Sequence, residues 1–221
     1  MRRPLPLTHS TYPLSSSEEL VNSITHGIGL ILSVIGAMVI AVALRRGDVW
    51  RSVGCGVYLA SLITVYAMST MMHSCHTPRW KSVFRALDQG SIYLLVAATY
   101  TPFSLAYLRT SVWWILLCVI WGVALHGFLA KVLFAHRVDG PSIWPYVLIG
   151  GLPFISAPTL LGVISIGALW WMLVGAACYV VGLVFFVNDE RVHQFHAVWH
   201  VFVIAGSVCH FMGIYMFVVC V

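Results

Sequence analysis

Long apolar runs separated by short polar stretches repeat along the whole chain, at the roughly 20-residue length that crosses a bilayer core. The first run, from Ile28 to Leu44, has Ser33 as its only polar interruption. Its helix is expected to begin at Ser17 or Glu18, with Ser17 as N-cap and Glu18 and Glu19 in the first turn. Arg45, Arg46, Asp48 and Arg51 close it. A second span is expected from about Ser52 to Met72, followed by a polar loop holding His73 to Lys81. A third runs from near Ala86 to Tyr107 and a fourth from Ser111 to Leu133, with Trp113 and Trp114 suited to an interfacial belt. The fifth starts near Ser142, and Pro145, Pro153 and Pro158 would kink it or end it early. A sixth covers Ala168 to Val187, and a seventh runs from His193 to the C-terminus. The pattern therefore predicts an all-α integral membrane protein, a seven-transmembrane helix bundle over residues 17–221. Residues 1–16, polar and proline-containing, read as a disordered cytoplasmic tail with no signal-peptide character.

Composition agrees. Of the 221 residues 60% are hydrophobic and 9% charged, against about one quarter charged in soluble domains. The mean hydropathy is +0.92. Seven crossings with short loops leave no room for a separate soluble domain, and no internal repeat suggests a transporter of duplicated halves. The net charge of +5 comes without a basic stripe or aromatic-basic interleaving, which excludes a nucleic-acid partner. No soluble protein partner can be inferred, and the partners expected are membrane lipids.

The charge reports orientation instead. With the N-terminus cytoplasmic, the inner segments hold Arg2, Arg3, Arg79, Lys81, Arg85, Lys131, Arg137 and Arg191, and the outer ones Arg45, Arg46, Arg51 and Arg109. The excess of basic residues inside favours that arrangement. Cys55, Cys118, Cys178, Cys209 and Cys220 lie in or beside apolar runs and read as small hydrophobes. Cys75 stands apart, in a polar stretch between His73 and His76.

Ionisable residues inside a membrane are costly and mark function. Ser69 and His73 close the second span, Asp88 opens the third, and His196 and His200 open the seventh. Alternating topology puts all five at one depth on one face, which the charge count makes cytoplasmic. His196 and His200, four apart, project from one helix face, and Ser69 and His73 share that spacing. A third imidazole from the second helix completes three nitrogen ligands with an open position, the catalytic zinc pattern. Asp88 would ligate directly or act as general base through a water, and Ser69 would support the ligands or contact substrate. Each residue also has a plain reading. The two histidines of the seventh helix could simply bond between helices, His76 or Cys75 could replace His73, and Asp88 could pair with Arg85 or Arg191. His210, about 15 Å beyond His200 along the helix, falls outside the site. His26 is expected near the site without being a ligand, His193 at its boundary and His9 in the tail. His126 and Lys131 have no assigned role.

The segments EELVNSITHGIG (18–29), STMMH (69–73), LDQGSIYLLVAATYTPF (87–103) and FHAVWHVFVIAGSVCHF (195–211) resemble the bacterial haemolysin III family. That family sits within the progestin and adipoQ receptor group that includes the adiponectin receptors. The resemblance covers about Glu18 to Tyr215. It implies seven helices, a cytoplasmic N-terminus, a bacterial inner-membrane location, and Zn²⁺ on His73, His196 and His200 with Ser69 and Asp88 in support. Gln89, where bacterial members often carry His, and the HSCH stretch at 73–76 depart from the pattern without removing a ligand. Relatives are linked to hydrolysis of lipid amides such as ceramides and to membrane lipid homeostasis, and the bacterial name implies pore formation. Three readings follow. The first is a zinc-dependent hydrolase of a membrane lipid amide or ester, and the second a sensor of membrane state with structural zinc. The third, a pore, would need polar stripes through the spans, which are largely absent.

Overall fold

The computed structural model describes residues 15–45, 48–134, 144–189 and 191–221. Among these every regular element is helical. Most of the tail expected over residues 1–16 lies outside the described residues.

Helix α1 spans Ser16–Ala43. Its N-cap is Ser15, not Ser17, because Ser15 forms a capping box with Glu18. The Ser15 hydroxyl accepts the Glu18 N–H, and the Glu18 carboxylate accepts the Ser15 N–H at 2.9 Å. Helix α2 covers Val49–Ser74, starting earlier than the expected Ser52. Helix α3 covers Pro78–Tyr107. The expected loop from His73 to Lys81 thus shrinks to residues 75–77, since Pro78 occupies a first-turn position where its missing N–H costs nothing. Helix α4 spans Ser111–Leu133. The fifth segment is broken as its prolines suggest. Helix α5, Trp144–Gly151, gives way to a 3-10 turn over Leu152–Ser156 and then to α6, Ala157–Leu161. Helix α7 covers Ile166–Val187, and α8 covers Phe195–Ile214 and ends in a π turn over Tyr215–Val219. Gln194, ahead of α8, adopts a left-handed φ of 65°, and its N–H reaches the Glu18 carboxylate at 3.4 Å.

Six of these segments are long and apolar enough to cross a membrane: α1, α2, α4, Trp144–Leu161, α7, and α8 with its π turn. The chain is a multi-pass membrane protein. At 30 residues, about 45 Å, α3 is the longest helix, but it is not among the six. The physical reason is its position. It packs against both α2 and α4 and supplies residues to both hydrophobic clusters of the bundle. One cluster joins Ile40, Tyr58, Tyr66, Phe103 and Val203; the other joins Tyr93, Ala97, Ile120, Tyr146 and Ile149. A helix enclosed by helices does not need an apolar surface for lipid.

Helices α2 and α3 meet backbone to backbone at Gly54. A Cβ on Gly54 would sit 2.9 Å from the Pro102 Cα, so only glycine lets the helices meet there. Polar side chains add cross-links inside the bundle. The hydroxyls of Tyr66 and Tyr179 both reach the Ser207 hydroxyl, at 2.9 and 3.0 Å, tying α2 and α7 to α8. The Trp121 indole donates to Thr101 at 3.1 Å, tying α4 to α3. By contrast, the α5–α6 segment rests on α3 and α4 and touches α7 mainly near the turn between them, which leaves a deep space between α3, α7 and α8.

Candidate metal centre

The last turn of α2 and the first turns of α8 meet against the start of α1. His73, His196 and His200 there bring one ring nitrogen each to within 4.8 Å of one another. Their ring centroids are 4.6 to 5.1 Å apart. His73 and His200 are 3% and 1% exposed. This is a three-histidine group of a kind that could hold a metal ion.

The other nitrogen of each ring decides how well the group fits one. His73 Nδ1 lies 2.7 Å from Glu19 Oε2, His196 Nδ1 lies 2.7 Å from Asp189 Oδ2, and His200 Nδ1 lies 3.1 Å from Thr25 Oγ1. With the hydrogen on Nδ1, each ring donates to an oxygen and leaves its Nε2 lone pair free. Ligating histidines are oriented in this way. His73 Nε2 is buried and has no hydrogen-bond partner among the described residues, a cost that a bound cation would remove. Two carboxylates beneath three neutral rings also supply the negative charge that a dication in a low-dielectric site requires. The residues present therefore fit a metal such as zinc.

Local structure places these partners. The capping box that starts α1 directs Glu18 and Glu19 towards neighbouring elements. Glu18 pairs with His193 at 2.7 Å; Glu19 holds His73 and also accepts the Lys81 ammonium of α3. Thr25 lies two turns into α1, and Asp189 lies in the turn after α7.

Ser69 and Asp88 line the cavity beside the histidines. Ser69 is 1% exposed, and its hydroxyl lies beside the Asp88 carboxyl. Asp88 is not one of the three grouped ligands. Neither Arg85 nor Arg191 pairs with it; the ion pairs of the described residues run through Glu18, Glu19 and Asp189. Cys75 and His76 stay outside the group as well.

His26 is closer than a neighbour. Its ring stacks on His200 at 3.5 Å and meets Tyr66 edge-on at 5.2 Å. Both its nitrogens are buried without partners, as are both polar atoms of Asn22 one turn earlier. His210 lies away from the group, far along α8. Glu19, Thr25 and Asp189 did not emerge from the sequence as part of the site. The usable signal was depth, because Glu19 starts α1 and Asp189 follows α7, at the same end of the bundle as the histidines.

The histidines open onto a cavity of about 2100 Å³. Its lining includes polar residues beside the histidines, among them Glu19, Lys81, Arg85 and His193, and apolar ones, among them Leu95, Val96, Leu169, Leu173 and Val203.

Comparison with known proteins places this architecture. The family model for haemolysin-III related proteins matches residues 14–211. The chain belongs to the haemolysin III family. Within that family, it is 36% identical to Hemolysin-3 of Bacillus cereus over 202 residues, covering 91% of this chain and 92% of that one. It is 32% identical to a Hemolysin-3 homolog of Bacillus subtilis (strain 168) over 203 residues, 91% and 95% of the two chains. A more distant relative is the human monocyte to macrophage differentiation factor, 24% identical over 217 residues, 93% and 87% of the two. No solved structure matches the chain.

Proposed function

We propose that this haemolysin III protein is a zinc-dependent hydrolase of a membrane lipid amide or ester. In this reading it crosses the bacterial inner membrane seven times, with α3 and the broken α5–α6 segment among the crossings. Its N-terminus and metal site lie on the cytoplasmic side, as the basic-residue count favours. The observation that carries the reading is the junction of the three oriented histidines with a large, apolar-walled cavity at their open side. A lipid enters such a cavity with its acyl chain inward and its polar linkage at the mouth.

His73, His196 and His200 would hold zinc through Nε2, with Glu19, Asp189 and Thr25 fixing the rings. Zinc supplies there a lowered pKa for water and polarisation of a carbonyl. Asp88, on the cavity wall, takes a proton from the attacking water. The proton then passes to the departing amine or alcohol as the carbonyl–nitrogen or carbonyl–oxygen bond breaks, leaving a free carboxyl. Ser69 donates its hydroxyl to Asp88 or to the substrate carbonyl. Lys81 and Arg85, in the cavity lining, suit an anionic headgroup.

The test is turnover of fluorescent lipid amides and esters by the full chain in lipid nanodiscs. Wild type should release the labelled acyl group, and Asp88→Ala should lower the rate by at least about 100-fold while keeping its zinc. Zinc retention without turnover of any lipid tried would overturn the hydrolase reading. It would favour a sensor of membrane state in which the metal fastens α2 to α8.

A further inference from the structure

A fourth histidine stands against the three that could hold a metal. The His26 ring of α1 lies over the His200 ring, with centroids 3.5 Å apart and planes within 17° of parallel. His26 is 3% exposed and belongs to the cavity lining beside the metal group. Both its nitrogens are buried without a hydrogen-bond partner among the described residues, and buried polar atoms are costly to leave so. Its neighbours do not relieve them. The Tyr66 ring meets His26 edge-on at 5.2 Å, but the Tyr66 hydroxyl is bonded to Ser207. The Thr25 hydroxyl accepts from His200. Asn22, one turn earlier on α1, keeps both its own polar atoms unpaired, so the two side chains do not serve each other.

Packing fixes where that ring sits. A Cβ on Gly29 would fall 2.5 Å from the Tyr66 ring, so α1 and α2 are in close contact just past His26, and the imidazole is held between Tyr66 and His200. The stack also sets its distance from the metal group. A cation bound to His200 lies in the plane of that ring, about 2.0–2.1 Å from Nε2. The centre of a ring stacked 3.5 Å above is then about 5 Å from the cation. That is too far for His26 to join His73, His196 and His200 as a ligand. It is close enough for the nitrogen edge of His26 to meet an oxygen of whatever group the cation holds.

We propose that His26 contacts the substrate, donating a hydrogen bond from a ring nitrogen to the acyl oxygen of the lipid whose head lies at the metal. The inference rests on the reading that the three histidines hold a metal and present it to a lipid carbonyl. A hydrogen bond to a charged oxygen is roughly twice as strong as one to a neutral oxygen. His26 therefore holds most firmly an acyl oxygen that carries negative charge, which is where charge gathers when a carbonyl is attacked. The ligand class is a long-chain acyl group with an anionic, two-oxygen head, such as a carboxylate or a hydroxamate.

The probes are a long-chain hydroxamic acid and the alcohol of the same chain length. Each competes with a fluorescent long-chain alcohol for the zinc-loaded, full-length protein in nanodiscs, and zinc content is measured on the same samples. His26→Phe keeps a ring over His200 and removes the nitrogens. It should retain its zinc and its affinity for the alcohol while binding the hydroxamic acid about 10-fold more weakly than wild type. His26→Gln, which restores a donor, should recover part of that loss. Unchanged hydroxamic acid affinity in His26→Phe would overturn the proposal. So would an equal loss for the alcohol, which would show a repacked cavity, or loss of zinc from both variants, which would make His26 a support of the metal group alone. A wild type that holds zinc but binds the hydroxamic acid no better than the alcohol would instead remove the open metal position on which the hydrolase reading depends. Turnover plays no part in the measurement, so His26 and the hydrolase reading fail separately.

Discussion

Helix α4 buries Leu117, Ile120, Ala124 and Lys131 and offers lipid a nearly unbroken apolar surface. Helix α3, packed along it, buries fourteen residues, among them Ser91, Thr99, Thr101 and Ser104. In water this contrast would be reversed, because apolar faces would turn inward. Lipid is as apolar as a leucine side chain, so hydrophobicity here marks the outside, and association depends on close packing and internal hydrogen bonds. Polarity marks the interior, where Asp88 and the cavity lie. Composition alone makes α4 the more convincing span, yet α3 carries more of the architecture and the chemistry.

That contrast can be broken most strongly from outside. Val119 is 47% exposed on α4, so Val119→Lys places a charge in hydrocarbon and should cost about 2.5–3.5 kcal/mol. Thermal unfolding in nanodiscs would show it, and a neutral result would mean that this face of α4 is not against lipid. Inside, Gly54→Ala forces a methyl against Pro102 and should destabilise by about 1–3 kcal/mol. Gly122→Ala on α4, with open space around it, should be neutral or gain up to about 1 kcal/mol from helix propensity. Equal effects at the two glycines would erase the distinction between the helices. The smallest expected cost concerns the bond between α3 and α4. Thr101→Val leaves the Trp121 indole N–H without its acceptor and should cost about 0.6 kcal/mol, read in the same assay.

The same contrast explains what was legible in the sequence. Spans facing lipid, such as α1, α4 and α7, are apolar runs and could be located closely. The start of α3 could not, because Arg79, Lys81 and Arg85 look like a loop until α1 supplies the Glu19 carboxylate to Lys81. The three histidines were legible because helix spacing and membrane depth are properties of the chain alone. Their partners were not. Glu19 reads as an ordinary first-turn acid and Asp189 as part of a polar connection, and only the packing of α1 and the α7–α8 turn around the histidines sets them at 2.7 Å from imidazole nitrogens. His26 could be placed near the site but not stacked on His200, since ring contacts between helices follow from rotation about the helix axis, which depth does not determine.

Metal binding by the full-length protein tests the centre most directly. Zinc content and affinity can be measured on wild type, His73→Ala and Glu19→Gln purified in the same membrane mimetic. The account predicts one zinc per wild-type chain, bound by three histidine nitrogens at about 2.0–2.1 Å in X-ray absorption at the zinc edge. His73→Ala should lose that zinc, and Glu19→Gln should bind it about 10–100-fold more weakly because His73 is no longer held. A wild type without stoichiometric metal, or a His73→Ala variant that retains it unchanged, would contradict the account.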